Sequence, residues 1–141
     1  MVPSVLYSAV IRLIFRMGRA QSAMCMVVTG NPIGMPVCHV LIIEDDWLIA
    51  DYVEHLARSA GATSVEIVDC ETDAVEAAAG QRPEIILSDV NLRAGTGPIA
   101  VQIIQENSGP IPVIFITAML QACMPRDAQA VILTKPKNFN R

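Results

Sequence analysis

From position 37 onward the chain repeats one unit. A short unbroken apolar run meets a polar tip, then a longer stretch follows whose apolar residues recur every third or fourth position. Runs of this length read as strands buried on both faces, and the longer period is that of a helix lying on them. The first strand is predicted over Val37–Ile43 and closes on Glu44, Asp45 and Asp46. Trp47–Ala60 carries Ile49, Tyr52, Val53, Leu56 and Ala60 at helical spacing and stops at Gly61. Ser64–Val68 alternates as a short strand, and the Ala- and Glu-rich segment Glu71–Ala79 predicts a second helix closed by Gly80. Glu84–Ser88 is a third buried strand that ends at Asp89. Asn91–Gly97 reads as a Gly-rich loop. Pro98 sits where the first turn of a helix tolerates proline, and Ile99–Asn107 continues that helix. Pro112–Thr117 and Ala130–Thr134 make a fourth and a fifth strand. Strands alternating with helices predict an α/β domain with a parallel sheet covered on both faces.

The first 36 residues break this rhythm. No stretch there reaches the 18 or so apolar residues of a membrane span, because Arg12 ends one run and Gly30, Pro32, Gly34 and Pro36 interrupt the next. The arginines follow the apolar run, whereas a secretory signal places its charge before it. Over Ser8–Arg19 an amphipathic helix would carry Arg12, Arg16 and Arg19 on one face, as a membrane-surface anchor does. An unstructured extension, or an expression scar, is the preferred reading. The domain itself is assigned to residues 37–141.

Charge sharpens that boundary. The chain's 141 residues carry a net charge of −4, with +3 in residues 1–36 and −7 in the remainder. An acidic body argues against nucleic acid as a partner. Apolar residues make up 52% and charged residues 17%, which suits one globular domain and excludes a disordered polymer. The four cysteines form no CxxC pair, so neither a disulfide framework nor a zinc site is expected, and a reducing cytoplasm is the default location.

In open parallel sheets the ligand site lies beyond the carboxyl ends of the strands. Those ends hold Glu44, Asp45 and Asp46 on the first strand, Asp89 on the third, Thr117 on the fourth, and Lys135 with Pro136 on the fifth. Three carboxylates at about 4 Å repel by about 4 kcal/mol per pair at an effective dielectric of 20. Such a set requires a cation or protons. A hard divalent ion such as Mg²⁺ prefers oxygen donors, and with Lys135 it balances three negative charges. A carboxylate in this setting can attack phosphorus and form an acyl phosphate, while Thr117 and Lys135 stabilise the transferring oxygens. A phosphoryl group of about −2 on Asp89 then rearranges the local charge, which is the basis of a switch. The bland alternatives are that the acidic run only complements a helix N-terminus, and that Asp89 only makes a turn.

The segments Val40–Asp46, Pro83–Leu92, Pro112–Ala118 and Leu133–Pro136 together resemble the receiver domains of two-component response regulators. They agree with that family in order, spacing and strand context over about 100 residues. The resemblance implies a doubly wound, flavodoxin-like (CheY-like) sheet in strand order 2-1-3-4-5. It implies transfer of a phosphoryl group, with Mg²⁺, from a phosphohistidine on a sensor histidine kinase or phosphotransfer protein. Asp89 then corresponds to the phosphoacceptor. Glu44 and Asp45 correspond to the acidic pair, with Asp45 the direct metal ligand, and the backbone carbonyl of Asn91 is a further ligand. Thr117 matches the switch hydroxyl and Lys135 the family's lysine, with Pro136 following in a cis peptide.

Three departures stand out. Ile132 occupies the usual place of an aromatic switch residue. Only 16 residues separate Ala118 from Lys135, with Pro125 among them, so the fourth helix is expected to be degenerate. This short form resembles receivers of alphaproteobacterial stress signalling that work with HWE-type histidine kinases. After Pro136 only Lys137–Arg141 remains, so the family's fifth helix is missing. Its loss is expected to uncover apolar surface on the first and fifth strands. A protein partner, a homodimer or a fold-back of the N-terminal segment could cover it. Trp47 is expected to pack, and His39 and His55 to be structural. An aspartyl phosphatase is disfavoured because Asn91 stands where that chemistry needs an acid. The other alternative is a pseudo-receiver that binds proteins without being phosphorylated. In either receiver reading the output is a contact with a downstream protein.

Overall fold

A computed structural model describes residues 38–117 and 130–134. Within them, five strands form one parallel sheet in the order β2-β1-β3-β4-β5. The strands are β1 (His39–Ile43), β2 (Ser64–Val68), β3 (Ile85–Ser88), β4 (Val113–Thr117) and β5 (Ala130–Thr134). Three helices are described: α1 (Trp47–Ala60), α2 (Glu71–Gly80) and α3 (Gly97–Ser108). The expected fold class and strand order are therefore present. The fourth-helix region, the residues after β5 and the N-terminal 37 residues lie outside the described residues, as does the peptide expected to be cis before Pro136.

Every residue of β1 and β3 is buried, as unbroken apolar runs require of strands covered on both faces. Alternation splits them between two cores. Val40 and Ile42 of β1, Ile85 and Leu87 of β3, and Ile114 and Ile116 of β4 pack in one core with Ile49, Val53 and Ala57 of α1. Leu41, Ile43, Ile86, Val113 and Phe115 face the other, where α2 supplies Ala74 and Ala78 and α3 supplies Ala100, Val101 and Ile104. The small alanines let α2 and α3 sit close to the sheet.

The helix ends have local causes. The Asp46 carboxylate caps α1 by accepting hydrogen bonds from the N–H groups of Leu48 (3.0 Å) and Ile49 (3.4 Å). Gly61 closes it in the left-handed region at φ 116°. Thr96 Oγ1 caps α3 at the Ile99 N–H, with Pro98 in the first turn.

Several sequence-based expectations need correction. β1 begins at His39, and β3 and β4 each begin one residue later than expected. Gly80 is the last residue of α2 and does not cap it, while α3 starts at Gly97 and reaches Ser108. β2 does not alternate cleanly: it is an edge strand, and Glu66 and Ile67 are both exposed. Trp47 is 79% exposed and does not pack in the core, because it opens α1 on the side away from the sheet-facing residues Ile49, Ala50 and Val53. The apolar surface expected to be uncovered on the first strand is not, since all of β1 is buried.

His39 is buried on β1, where its Nδ1 lies 2.7 Å from Ser64 Oγ and its Nε2 lies 3.8 Å from the Glu66 carboxylate. Burial pushes its pKa below the ordinary 6.5, against the opposing pull of Glu66. The unfolded chain therefore binds this proton more readily than the folded one. The stability His39 contributes is full above pH 6.5 and is lost as pH falls through the lower folded value. Thermal denaturation between pH 7.5 and 5 should show a steeper acid-side loss in the wild type than in His39→Gln. Equal slopes would remove His39 from the account.

Candidate functional site

Parallel register brings the acidic tips together. Ile43 of β1 pairs with Ser88 of β3, so the residues that follow leave the sheet side by side. The ladder continues for one more rung: Asp89 N–H donates to the Ile43 carbonyl (2.8 Å), and Glu44 N–H donates to the Val68 carbonyl (2.9 Å). As a result, carboxylate oxygens of Glu44, Asp45 and Asp89 all lie within 4.8 Å of one another. Glu44 and Asp89 are buried, at 5% and 8% exposure.

Each carboxylate is held by backbone. Val90 N–H donates to Asp89 Oδ1 (2.7 Å), which fixes the rotation of the carboxyl group. Asp46 N–H donates to Glu44 Oε1 (3.1 Å). Arg93 N–H, from the loop after β3, donates to Asp45 Oδ2 (2.9 Å). The Arg93 guanidinium approaches the same oxygen at 3.8 Å, but that side chain is 83% exposed, so solvent screens the pair. The run Glu44-Asp45-Asp46 is thereby divided: two acids enter the cluster, and the third makes the helix cap that the bland reading assigned to all three.

The loop between β3 and α3 is pinned by residues that the sequence reading passed over. Glu71, the first residue of α2, accepts the Thr96 N–H at Oε2 (3.0 Å) and donates its own N–H to the Ala94 carbonyl (3.2 Å). Gly95 lies at φ +81°, packed against Glu71, where a Cβ would collide with that side chain. Gly97 donates its N–H to the Val90 carbonyl (3.0 Å), and a Cβ on it would overlap the Asp89 carbonyl oxygen and Ser88 Oγ. These contacts join residues more than 20 positions apart, or depend on how closely a helix start approaches a strand end. No local pattern announces them.

Asn91 makes an isolated antiparallel bridge with Thr96 at the mouth of this loop. Thr117 ends β4 and pairs with Thr134 of β5, both at the carboxyl edge. Lys135 lies outside the described residues. His55 is exposed on α1 and His39 belongs to β1, so neither joins the acids. An open cleft beside the cluster is lined by Glu44, Asp45, Trp47, Val68 and Asp69. The donor set consists of hard carboxylate oxygens, two of them on buried residues, which suits a hard divalent cation and not a thiol-preferring one. Among the described residues, no helix is long and apolar enough to cross a membrane.

Known proteins with this arrangement can now be compared. A family model described as the response regulator receiver domain matches residues 40–140. The phyllosphere-induced regulator PhyR of Methylorubrum extorquens is 33% identical over 100 residues, covering 69% of this chain and 38% of that protein. The structure of an anti-anti-sigma factor PhyR variant from Bartonella quintana superposes with a TM-score of 0.61 at 36% identity, over 71% of this chain and 42% of that one. The receiver domain of PhyR from Erythrobacter litoralis gives 0.59 at 36% identity, over 71% of this chain and 79% of that one. The chain thus spans less than half the length of the full PhyR proteins it matches.

The Gly97 contact yields a direct prediction. Gly97→Ala forces a methyl group against the Asp89 backbone and should cost about 2–3 kcal/mol in urea denaturation. The control, Gly80→Ala, has open space at the added Cβ and should be neutral or stabilising. Equal stability of the two variants would contradict the packing described for the loop.

Proposed function

The chain belongs to the response regulator receiver domain family, and on that premise we propose that it accepts a phosphoryl group on Asp89 from the phosphohistidine of a sensor kinase or phosphotransfer protein. The observation that carries this reading is the convergence of Glu44, Asp45 and Asp89 oxygens within 4.8 Å at the carboxyl edge of the sheet. Glu44, Asp45, Asp89 and the Asn91 carbonyl are the proposed ligands of Mg²⁺. That ion, when bound, supplies positive charge against both the acids and the incoming phosphoryl oxygens.

The Asp89 carboxylate is the nucleophile. One of its oxygens forms the new O–P bond, the P–N bond to the donor imidazole breaks, and the departing nitrogen keeps the electron pair. The Val90 N–H bond holds the carboxyl group's orientation through the encounter. Thr117 and Lys135 are proposed to meet the phosphoryl oxygens, Thr117 through its hydroxyl and Lys135 as a point charge. The product adds negative charge to a pocket already rich in it, which favours rearrangement of the surrounding loops. The proposed activity is acceptance of the group in signalling, in the cytoplasm, by residues 37–141. Output through a downstream protein partner is consistent with the name anti-anti-sigma factor carried by a PhyR relative.

Incubation with acetyl phosphate and Mg²⁺ followed by intact-mass measurement tests the reading. The wild type should gain one phosphoryl group, and Asp89→Ala should gain none. An unmodified wild type would favour the pseudo-receiver alternative. Modification of both proteins would place the acceptor elsewhere.

A further inference from the structure

Between α1 and the edge strand β2 lies an open cleft of about 520 Å³. Two apolar side chains border it, and both are left in water. Ile67 pairs with Ile42, a member of the α1-side core, so it stands on the same side of the sheet, yet it is 41% exposed. Trp47, at the head of α1, is more exposed still. Asp51 and Glu54 follow it by one and two turns, which puts all three on one helix face. Across the cleft stand Asp69, just after β2, and Asp73, in the first turn of α2. A second groove lies on the α2 side of β2, with Glu66 and Glu76 among its walls. It shares Val68 and Asp73 with the first, so the two meet across the end of the edge strand. No basic residue lines either of them. From Glu44 to Asp73 the sequence has nine acids and one arginine or lysine, Arg58, which Glu54 already holds at 3.0 Å. Among the described residues, Asp51, Asp69 and Asp73 form no salt bridge.

We propose that this cleft docks an arginine-bearing segment of a partner protein. Charge complementarity calls for a cation, and the uncovered indole selects which one. A guanidinium is planar and weakly hydrated, so it stacks on an aromatic face while its edge donates to a carboxylate. Trp47 and Asp51, one turn apart on the same face of α1, offer both partners in one place. A lysine ammonium meets the acids as a point charge but gains less from the ring. A bare metal ion would leave Trp47 and Ile67 in water, whereas the apolar stem of an arginine and its neighbouring residues cover them. The continuation of the groove past β2 suits a segment of several residues and not a single side chain. Nucleic acid is repelled by the same rim. The inference does not depend on the phosphoryl chemistry proposed above. Glu44 and Asp45 stand at the inner end of the cleft, while Asp51, Glu54, Asp69 and Asp73 lie outside the carboxylate cluster around Asp89.

The test titrates the full chain with an amidated tetra-arginine peptide, and with tetra-lysine as its match in charge. Trp47 is the chain's single tryptophan, so its emission reports on the cleft. The arginine peptide should change that emission saturably and bind about threefold more tightly than the lysine peptide. By calorimetry, Trp47→Ala should weaken the arginine peptide about threefold, and Asp69→Asn combined with Asp73→Asn about fivefold. Glu84→Gln combined with Glu106→Gln removes the same charge at the amino edge of the sheet and should leave the affinity unchanged. Equal weakening by the two double variants, or equal binding of the two peptides without a change in emission, would reduce the interaction to diffuse charge and overturn the proposal. So would an affinity that survives both the Trp47 and the double aspartate substitutions, or no binding at all.

Discussion

Like charges held close together dominate this structure. Carboxylate oxygens from Glu44, Asp45 and Asp89 share a space 4.8 Å across, where each ionised pair repels by about 3–4 kcal/mol at an effective dielectric of 20. Nothing in the acids themselves favours that arrangement. It is imposed by the parallel register of β1 and β3, which carries Ile43 and Ser88 to the same level and releases the next residues together. Backbone N–H groups of Asp46, Val90 and Arg93 then fix the three carboxylates individually. Register and loop geometry thus gather negative charge at one edge of the sheet, which is the arrangement the proposed Mg²⁺ would neutralise.

The core makes this placement rigid. Every residue of β1 and β3 is buried, and a one-residue slip between them would part Ile43 from Ser88 and carry the acidic tips out of line. The loop after β3 is tied to α2 through Glu71 and to the strand end through Gly97. Asp89 thus sits between a fixed strand and a fixed helix start.

Much of this was legible in the sequence, and the misses have physical reasons. Asp89 stood out because it ends a run of aliphatic residues, and the Pro112–Thr117 and Ala130–Thr134 runs announced the rest of the sheet. The split within Glu44-Asp45-Asp46 was hidden, because adjacent acids differ only in the direction the chain gives them. Asp46 turns back to cap α1, and Asp45 turns to the Arg93 amide. Glu71, Gly95 and Gly97 act across long sequence separations, which no local period encodes. Trp47 was misread because an aromatic residue usually packs, whereas the first position of α1 points this one to solvent.

Calorimetric titration with Mg²⁺ at neutral pH tests the central claim most directly, since shared neutralisation by one ion is the role proposed for the cluster. The account predicts a single site in the wild type, weakened at least tenfold in Asp45→Asn and in Asp89→Asn, and unchanged in Glu106→Gln, an exposed acid on α3 away from the cleft. Wild-type affinity retained in both cluster variants, or no binding in the wild type, would contradict it.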